Sequence, residues 1–131
     1  MNILEQYADE VSKDLYIDEF NLKEKTLKTP ALKHSWVCKL IQHKKKLLKL
    51  KSDKNDLRRE ITKQIIKESP VKINAPVAEK AAARHDKLID INKQIEEQEL
   101  IVEFLEKTEK TFSALGFDIK NIIETIKIET M

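Results

Sequence analysis

One glycine, Gly116, serves a chain of 131 residues. Phosphate-cradling loops, dinucleotide fingerprints and tight hairpins all need glycine, for positive φ or for close approach of a backbone. The common nucleotide-binding folds and hairpin-built sheets are therefore out of reach. Strand signals are absent, and helix former follows helix former along the chain. Charged residues make up 37% and aromatics 5%. That balance suits long, charge-laced helices better than a large globular core. The fold class read from this is all-α.

Asn2 to Lys13 carries Ile3, Leu4, Tyr7, Ala8 and Val11 at helical spacing. The stretch DLYIDEFNL interrupts it, with Leu15 and Ile17 read as buried and Asp18 as an N-cap. Thr29–Pro30 either starts the next helix or kinks one that begins at Asp18. A long helix then runs from about Ala31 to Glu68 and stops before Pro70. Its residues Trp36, Leu40, His43, Leu47, Leu50, Lys54, Leu57 and Ile61 repeat at 4-3-4-3 spacing. This is a coiled-coil-like seam interrupted at His43 and Lys54. Ser69 to Pro76 reads as a linker with two prolines.

A third helix is predicted from about Val77 to Leu115. Its seam is Leu88, Ile91, Ile95, Gln98, Val102, Leu105, Glu109 and Phe112, again with two polar interruptions. Gly116 is expected to end that helix in the left-handed position, and Asp118 to cap a short last one. The expected organisation is amino-terminal helices over 1–68, a linker over 69–76 and carboxyl-terminal helices over 77–131. Two broken seams and an isoleucine-rich tail exceed what one modest core can cover, so burial between protomers is the natural solution.

Charge is segregated along the chain. Residues 1–29 hold four Lys and seven acids, a net −3. Residues 33–67 hold twelve basic and three acidic residues, a net +9. Residues 79–131 hold eight basic and twelve acidic residues, a net −4. Asp53, Asp56 and Glu60 are too few to neutralise the middle locally. Lys44, Lys51 and Arg58 are seven apart and form one stripe. Lys45, Lys49, Arg59 and Lys63 form another, with Lys46 and Lys54 nearby. A surface of this kind suits a polyanion. Lysine-dominated contact acts on phosphates and carries little base information, so binding is expected to be indifferent to sequence and sensitive to salt. Stacking on single-stranded bases would need exposed aromatics. Trp36, Tyr7, Tyr16 and Phe20, at helical spacing, read as core instead. A membrane surface suits the pattern less well, because the apolar face has heptad spacing and no clustered aromatics.

Other chemistry is sparse. Cys38 permits no internal disulfide. The acidic, amphipathic start MNILEQYADEV lacks a basic-then-apolar signal, and no apolar run approaches a membrane span. A soluble intracellular protein is expected. His34 and Cys38 are four apart, half of a metal site, and no second pair completes it. A buried Cys38 beside a surface His34 is the expectation. His43 and His85 have no partners at ligand spacing. Glu96, Glu99, Glu103 and Glu106 share a helix, which reads as a face toward solvent or toward a neighbour's lysines. No catalytic constellation, metal site or cofactor is expected.

Four short stretches then carry a resemblance: KDLYID (Lys13 to Asp18), SWVCK (Ser35 to Lys39), KKLLKL (Lys45 to Leu50) and GFDIKNI (Gly116 to Ile122). In order and spacing the chain resembles the UvsY recombination-mediator family of T-even-type bacteriophages. Glu68 to Ile95 departs from the family pattern. The resemblance implies an elongated all-helical protomer in a cyclic oligomer of six or seven subunits. It implies sequence-indifferent binding of single-stranded DNA and no catalytic activity. It also implies loading of a RecA-like recombinase of the UvsX type onto strands covered by the phage single-stranded-DNA-binding protein, in the cytoplasm of the infected bacterium. The family's DNA-binding motif falls on LRREI. Leu57, Arg58 and Ile61 match it, and Glu60 stands where a second basic residue belongs, with Arg59 and Lys63 as substitutes. The family's oligomerisation segment falls on Leu115, Phe117, Ile119, Ile122, Ile123 and Ile126. The rival reading is a coiled-coil adaptor whose lysines pair inside its own oligomer.

Overall fold

The computed structural model describes residues 2–130. Four helices account for nearly all of them: α1 (Ile3–Leu15), α2 (Leu22–Glu68), α3 (Ala75–Ala83) and α4 (Asp86–Thr130). No strand occurs among the described residues. The chain forms two compact units. One comprises residues up to Gln42 together with those from Ile101 onward, and the other spans His43–Leu100.

In the first unit, Asn2 caps α1 by accepting the Glu5 amide at 2.8 Å. At the other end, Lys25 Nζ donates to the Lys13 and Asp14 carbonyls at 3.2 and 2.9 Å. These are among the last carbonyls of α1, which a helix leaves without partners of its own. Trp36 is 1% exposed, and its indole N–H donates to Asp14 at 2.9 Å. Tyr7 meets it edge-on with ring centroids 5.6 Å apart. Lys39 lies 4.0 Å from the Trp36 centroid and pairs with Glu10 at 3.1 Å. The remaining buried side chains of this unit include Val11, Leu40, Leu105, Phe112, Leu115 and Ile119.

Pro30 neither starts nor ends a helix, because α2 begins at Leu22 and passes through it. Asp18 and Asn21 organise the turn before α2 instead. The Asp18 carboxylate accepts the Phe20 and Asn21 amides, each at 2.9 Å. Gly116 does not end a helix either. It lies within α4, its φ is not positive, and Asp118 caps nothing. The apolar spacing continues across it, and Leu115 and Ile119, buried on either side, hold the helix through a residue that costs about 1 kcal/mol there.

In the second unit α2 and α4 run antiparallel. Ile61 and Leu88 form one buried cluster with Ala82, flanked by Leu57, Ile65 and Ile91. The stretch read as a linker is shorter than expected. Asn74 accepts the Val77 amide at 3.0 Å and starts α3, with Pro76 in its first turn. Ala78 and Ala82 are wholly buried, so α3 sits against the unit on two methyl groups. The single helix expected from Val77 is in fact two. After Ala83 the chain turns at Arg84–His85, and the His85 ring accepts the Lys87 amide at 3.1 Å to cap α4.

Candidate nucleic-acid interface

The basic residues singled out by sequence all lie on the part of α2 that belongs to the second unit. Lys44, Lys45, Lys46, Lys49, Lys51, Arg58, Arg59 and Lys63 are exposed, and Lys54 is half-buried. They project differently because of the seam. The seam positions, with Ile61 buried, turn toward α4. Residues four and seven apart stack along one face of a helix. Lys45, Lys49, Arg59 and Lys63 therefore fall on the side opposite the seam. None of these four makes an ion pair among the described residues. The stripe Lys44, Lys51, Arg58 flanks the seam. There Lys51 Nζ approaches Glu99 at 3.7 Å, with both side chains half exposed. One lysine–glutamate pair between α2 and α4 of the same chain thus lies on the flank.

At the far end of the outer stripe, Arg58, Arg59, Thr62 and Lys63 line a surface depression of about 270 Å³ with Glu79 of α3. Thr62 Oγ1 is buried and has no hydrogen-bond partner among the described residues. Three cations and one carboxylate, Glu79, thus line the trough, which leaves it a net positive charge suited to an anion. Sequence reasoning missed Thr62 and Glu79. Thr62 falls between the basic stripes of α2, and Glu79, within the helix expected from Val77, comes beside them only through the packing of α3, so no local signal pointed to them.

One interruption of each seam finds the other. His43 and Gln98 are 9% and 3% exposed. Gln98 Nε2 lies 2.7 Å from His43 Nδ1 and 3.0 Å from the His43 carbonyl oxygen. Since one nitrogen serves both, it is the amide donor, and His43 Nδ1 accepts. Burial, and then the charge of Lys46, hold the His43 ring below its ordinary pKa. The pair is a polar layer in an otherwise apolar seam.

Two expectations on single side chains fail. Cys38 is exposed, not buried, and lies 3.6 Å from His34. Residue 38 falls outside the stripe that holds Trp36 and Leu40. No group of three or more potential metal-ligating side chains occurs among the described residues. Tyr16 and Phe20 are 61% and 96% exposed, because they sit in the turn between α1 and α2 and outside any helical seam. No helix among the described residues is long and apolar enough to cross a membrane.

The six apolar residues of the tail divide in two. Leu115 and Ile119 are buried within the chain itself. Phe117 and Ile122 are exposed, and Ile123 and Ile126 are half-buried. Ile122 and Ile126 line a groove of about 320 Å³ with Glu19, Asn121, Thr125 and Glu129.

A model of the family described as "Recombination, repair and ssDNA binding protein UvsY" matches residues 10–130. A search of curated proteins finds no match. Among solved structures, the chain is similar to the bacteriophage T4 recombination mediator protein UvsY in several lattices. The type IV crystal gives a TM-score of 0.84 at 18% identity, covering 98% of this chain and 99% of that one. The type II crystal gives 0.82 at 16% identity, covering 100% and 99%. The type III crystal gives 0.76 at 18% identity, covering both chains fully. At these identities the likeness establishes the all-helical fold.

Proposed function

The chain belongs to the UvsY family of recombination, repair and single-stranded-DNA-binding proteins, and we propose that within it this chain is a recombination mediator. It binds single-stranded DNA without sequence preference. It loads a RecA-like recombinase onto strands coated by single-stranded-DNA-binding protein, in the cytoplasm of the infected host. It performs no catalysis and needs no cofactor. The amino-terminal helices, through Glu68, carry the DNA contacts, and residues 77–131 carry oligomerisation into a ring of six or seven subunits.

One observation carries this reading: Lys45, Lys49, Arg59 and Lys63 share the outer face of α2, exposed and without ion pairs among the described residues. Four cations without ion-pair partners, against the single carboxylate of Asp56 on the same face, repel one another unless a polyanion meets them. Lys44, Lys46, Lys54 and Arg58 adjoin the stripe, and Lys51 contributes less because Glu99 shares its charge. Each neutralised phosphate of a single strand adds about 0.7 to the log–log salt slope, so this stripe contributes on the order of 3 per protomer. Several protomers in one ring convert weak contacts into avid ones, a gain on the order of 10²–10⁴. Phe117, Ile122, Ile123 and Ile126 offer the apolar contact between subunits, backed by Leu115 and Ile119.

The test is the quadruple variant Lys45→Gln, Lys49→Gln, Arg59→Gln, Lys63→Gln. It should keep the parent's oligomeric mass, bind an oligonucleotide at least tenfold more weakly, and show a shallower salt slope. Lys51→Gln should do much less. A quadruple variant that binds as tightly as the parent, with the same slope, overturns the assignment. The Lys51–Glu99 contact lies within one chain, so the alternative of an adaptor held together by ion pairs needs further lysines paired between subunits. In that case rising salt would dissociate the oligomer before it released DNA.

A further inference from the structure

The outer face of α2 is not wholly polar. Leu47 and Leu50 are seam positions, whereas Leu48 between them is 68% exposed and falls away from the seam. The residues three and four away that share its face are Lys44, Lys45, Lys51 and Ser52. Leu48 therefore stands between the two basic stripes. Ile66, about five whole turns further along the helix, is 42% exposed on the same line. It lies three residues from Lys63 and seven from Arg59. One exposed leucine on a protein surface is ordinary. One set among lysines, on the side opposite the core, is covered by whatever those lysines bind.

The charge around Leu48 does not depend on where a count begins. The nearest acids before and after it in the chain are Glu24 and Asp53, and nine lysines lie between those two. Lys45 makes no ion pair among the described residues, while Lys51 shares its charge with Glu99. An occupant that suits both the lysines and the leucine carries an anion and an apolar face side by side. Each nucleotide of a single strand does so, with its phosphate and the flat of its base. In a duplex the base faces cover one another, and Leu48 meets only sugar and phosphate. A lipid surface suits a continuous apolar face, which two side chains five turns apart do not form. We infer that Leu48 is the base-contacting residue of the basic helix, packing on the flat of a base while the lysines beside it hold the phosphates. Ile66 repeats the contact beside Lys63. An aliphatic side chain on a base face forms no hydrogen bond with a base edge, so it favours single strands over duplex without reading sequence. This rests on the single-stranded-DNA-binding reading above.

The experiment compares the full-length parent with Leu48→Ala on three probes of equal length: a mixed-sequence oligonucleotide, a strand made of abasic sites, and a blunt duplex. Leu48→Ala should bind the oligonucleotide about fivefold or more weakly, since apolar contact is lost. Its salt slope should equal the parent's, because no cation is removed. On the abasic strand and the duplex the two proteins should bind alike. Helicity and oligomeric mass should stay at the parent's values, and Leu48→Met, which keeps an apolar side chain, should restore binding. A Leu48→Ala variant that binds the oligonucleotide like the parent overturns the inference. The DNA-binding reading still stands in that case if the quadruple variant of Lys45, Lys49, Arg59 and Lys63 loses affinity. An equal loss on the abasic strand would set the leucine against the backbone, and a changed oligomeric mass would set it against a second copy of the chain; either overturns the inference. A parent that binds no single strand overturns the mediator reading, and the inference with it.

Discussion

The His43–Gln98 layer gives a prediction whose size follows from its geometry. In Gln98→Leu, two hydrogen bonds of 2.7 and 3.0 Å are lost, and His43 Nδ1 stays buried without its donor. Each lost bond is worth about 1 kcal/mol, and an unsatisfied buried acceptor costs about 1–3 kcal/mol in place of that gain. A net loss of about 2 kcal/mol is expected. His43→Leu removes only the ring bond and leaves the Gln98 amide its bond to the residue-43 carbonyl, so it should cost less, about 1 kcal/mol. The double variant removes both partners and continues the apolar run of Trp36 and Leu40, so it should match or exceed the parent. Unfolding entropy of about 2.1 cal/mol/K per residue converts 2 kcal/mol into a shift of roughly 7 °C in Tm. Circular dichroism melts of the four proteins at one protein concentration complete the cycle. The pH dependence adds a second readout. The folded state holds His43 below its ordinary pKa, so the unfolded chain takes up the proton first. Stability is whole above about pH 6.5, the unfolded value, and falls as pH drops through the folded one. That component should vanish in both variants that lack His43. A double variant less stable than either single one would refute the account of the layer as a matched polar pair.

Two further outcomes follow from the fold. Gly116 lies in helical conformation, and a methyl group built on it meets nothing within 4 Å, so Gly116→Ala should raise stability by up to about 1 kcal/mol, read as a higher Tm. Trp36→Phe keeps the ring contacts but loses the bond to Asp14 and part of a wholly packed side chain, so denaturant melts should show a loss of about 1–3 kcal/mol.

The long helices were legible because their seams repeat, and the composition allowed little else. What the sequence hid was pairing at a distance. His43 and Gln98 read as two separate flaws, each on its own helix, and only the antiparallel packing of α2 on α4 makes them one feature. The expected helix from Val77 missed the break at Arg84–His85, where no proline or glycine marks the turn, and it missed the cap at Asn74, which with Pro76 in the first turn is a start signal on capping alone. Gly116 was given its commonest role, and the tertiary contacts of Leu115 and Ile119 override it. For the candidate site, the surplus of positive charge was plain from counting. Which lysine is compensated was not, because Glu99 lies 48 positions from Lys51 in the chain. The exposure of Phe20 was hidden for the same reason that helical spacing is persuasive: the rule says nothing about residues in a turn.

Two methyl groups, those of Ala78 and Ala82, set how near α3 comes to the arginine-bearing face of α2, and so how wide the trough between Glu79 and Arg58 is. A leucine at either place would wedge the short helix outward and leave the guanidinium groups on open ground. The width of this cationic trough is in this sense gauged by alanine side chains that do not line it.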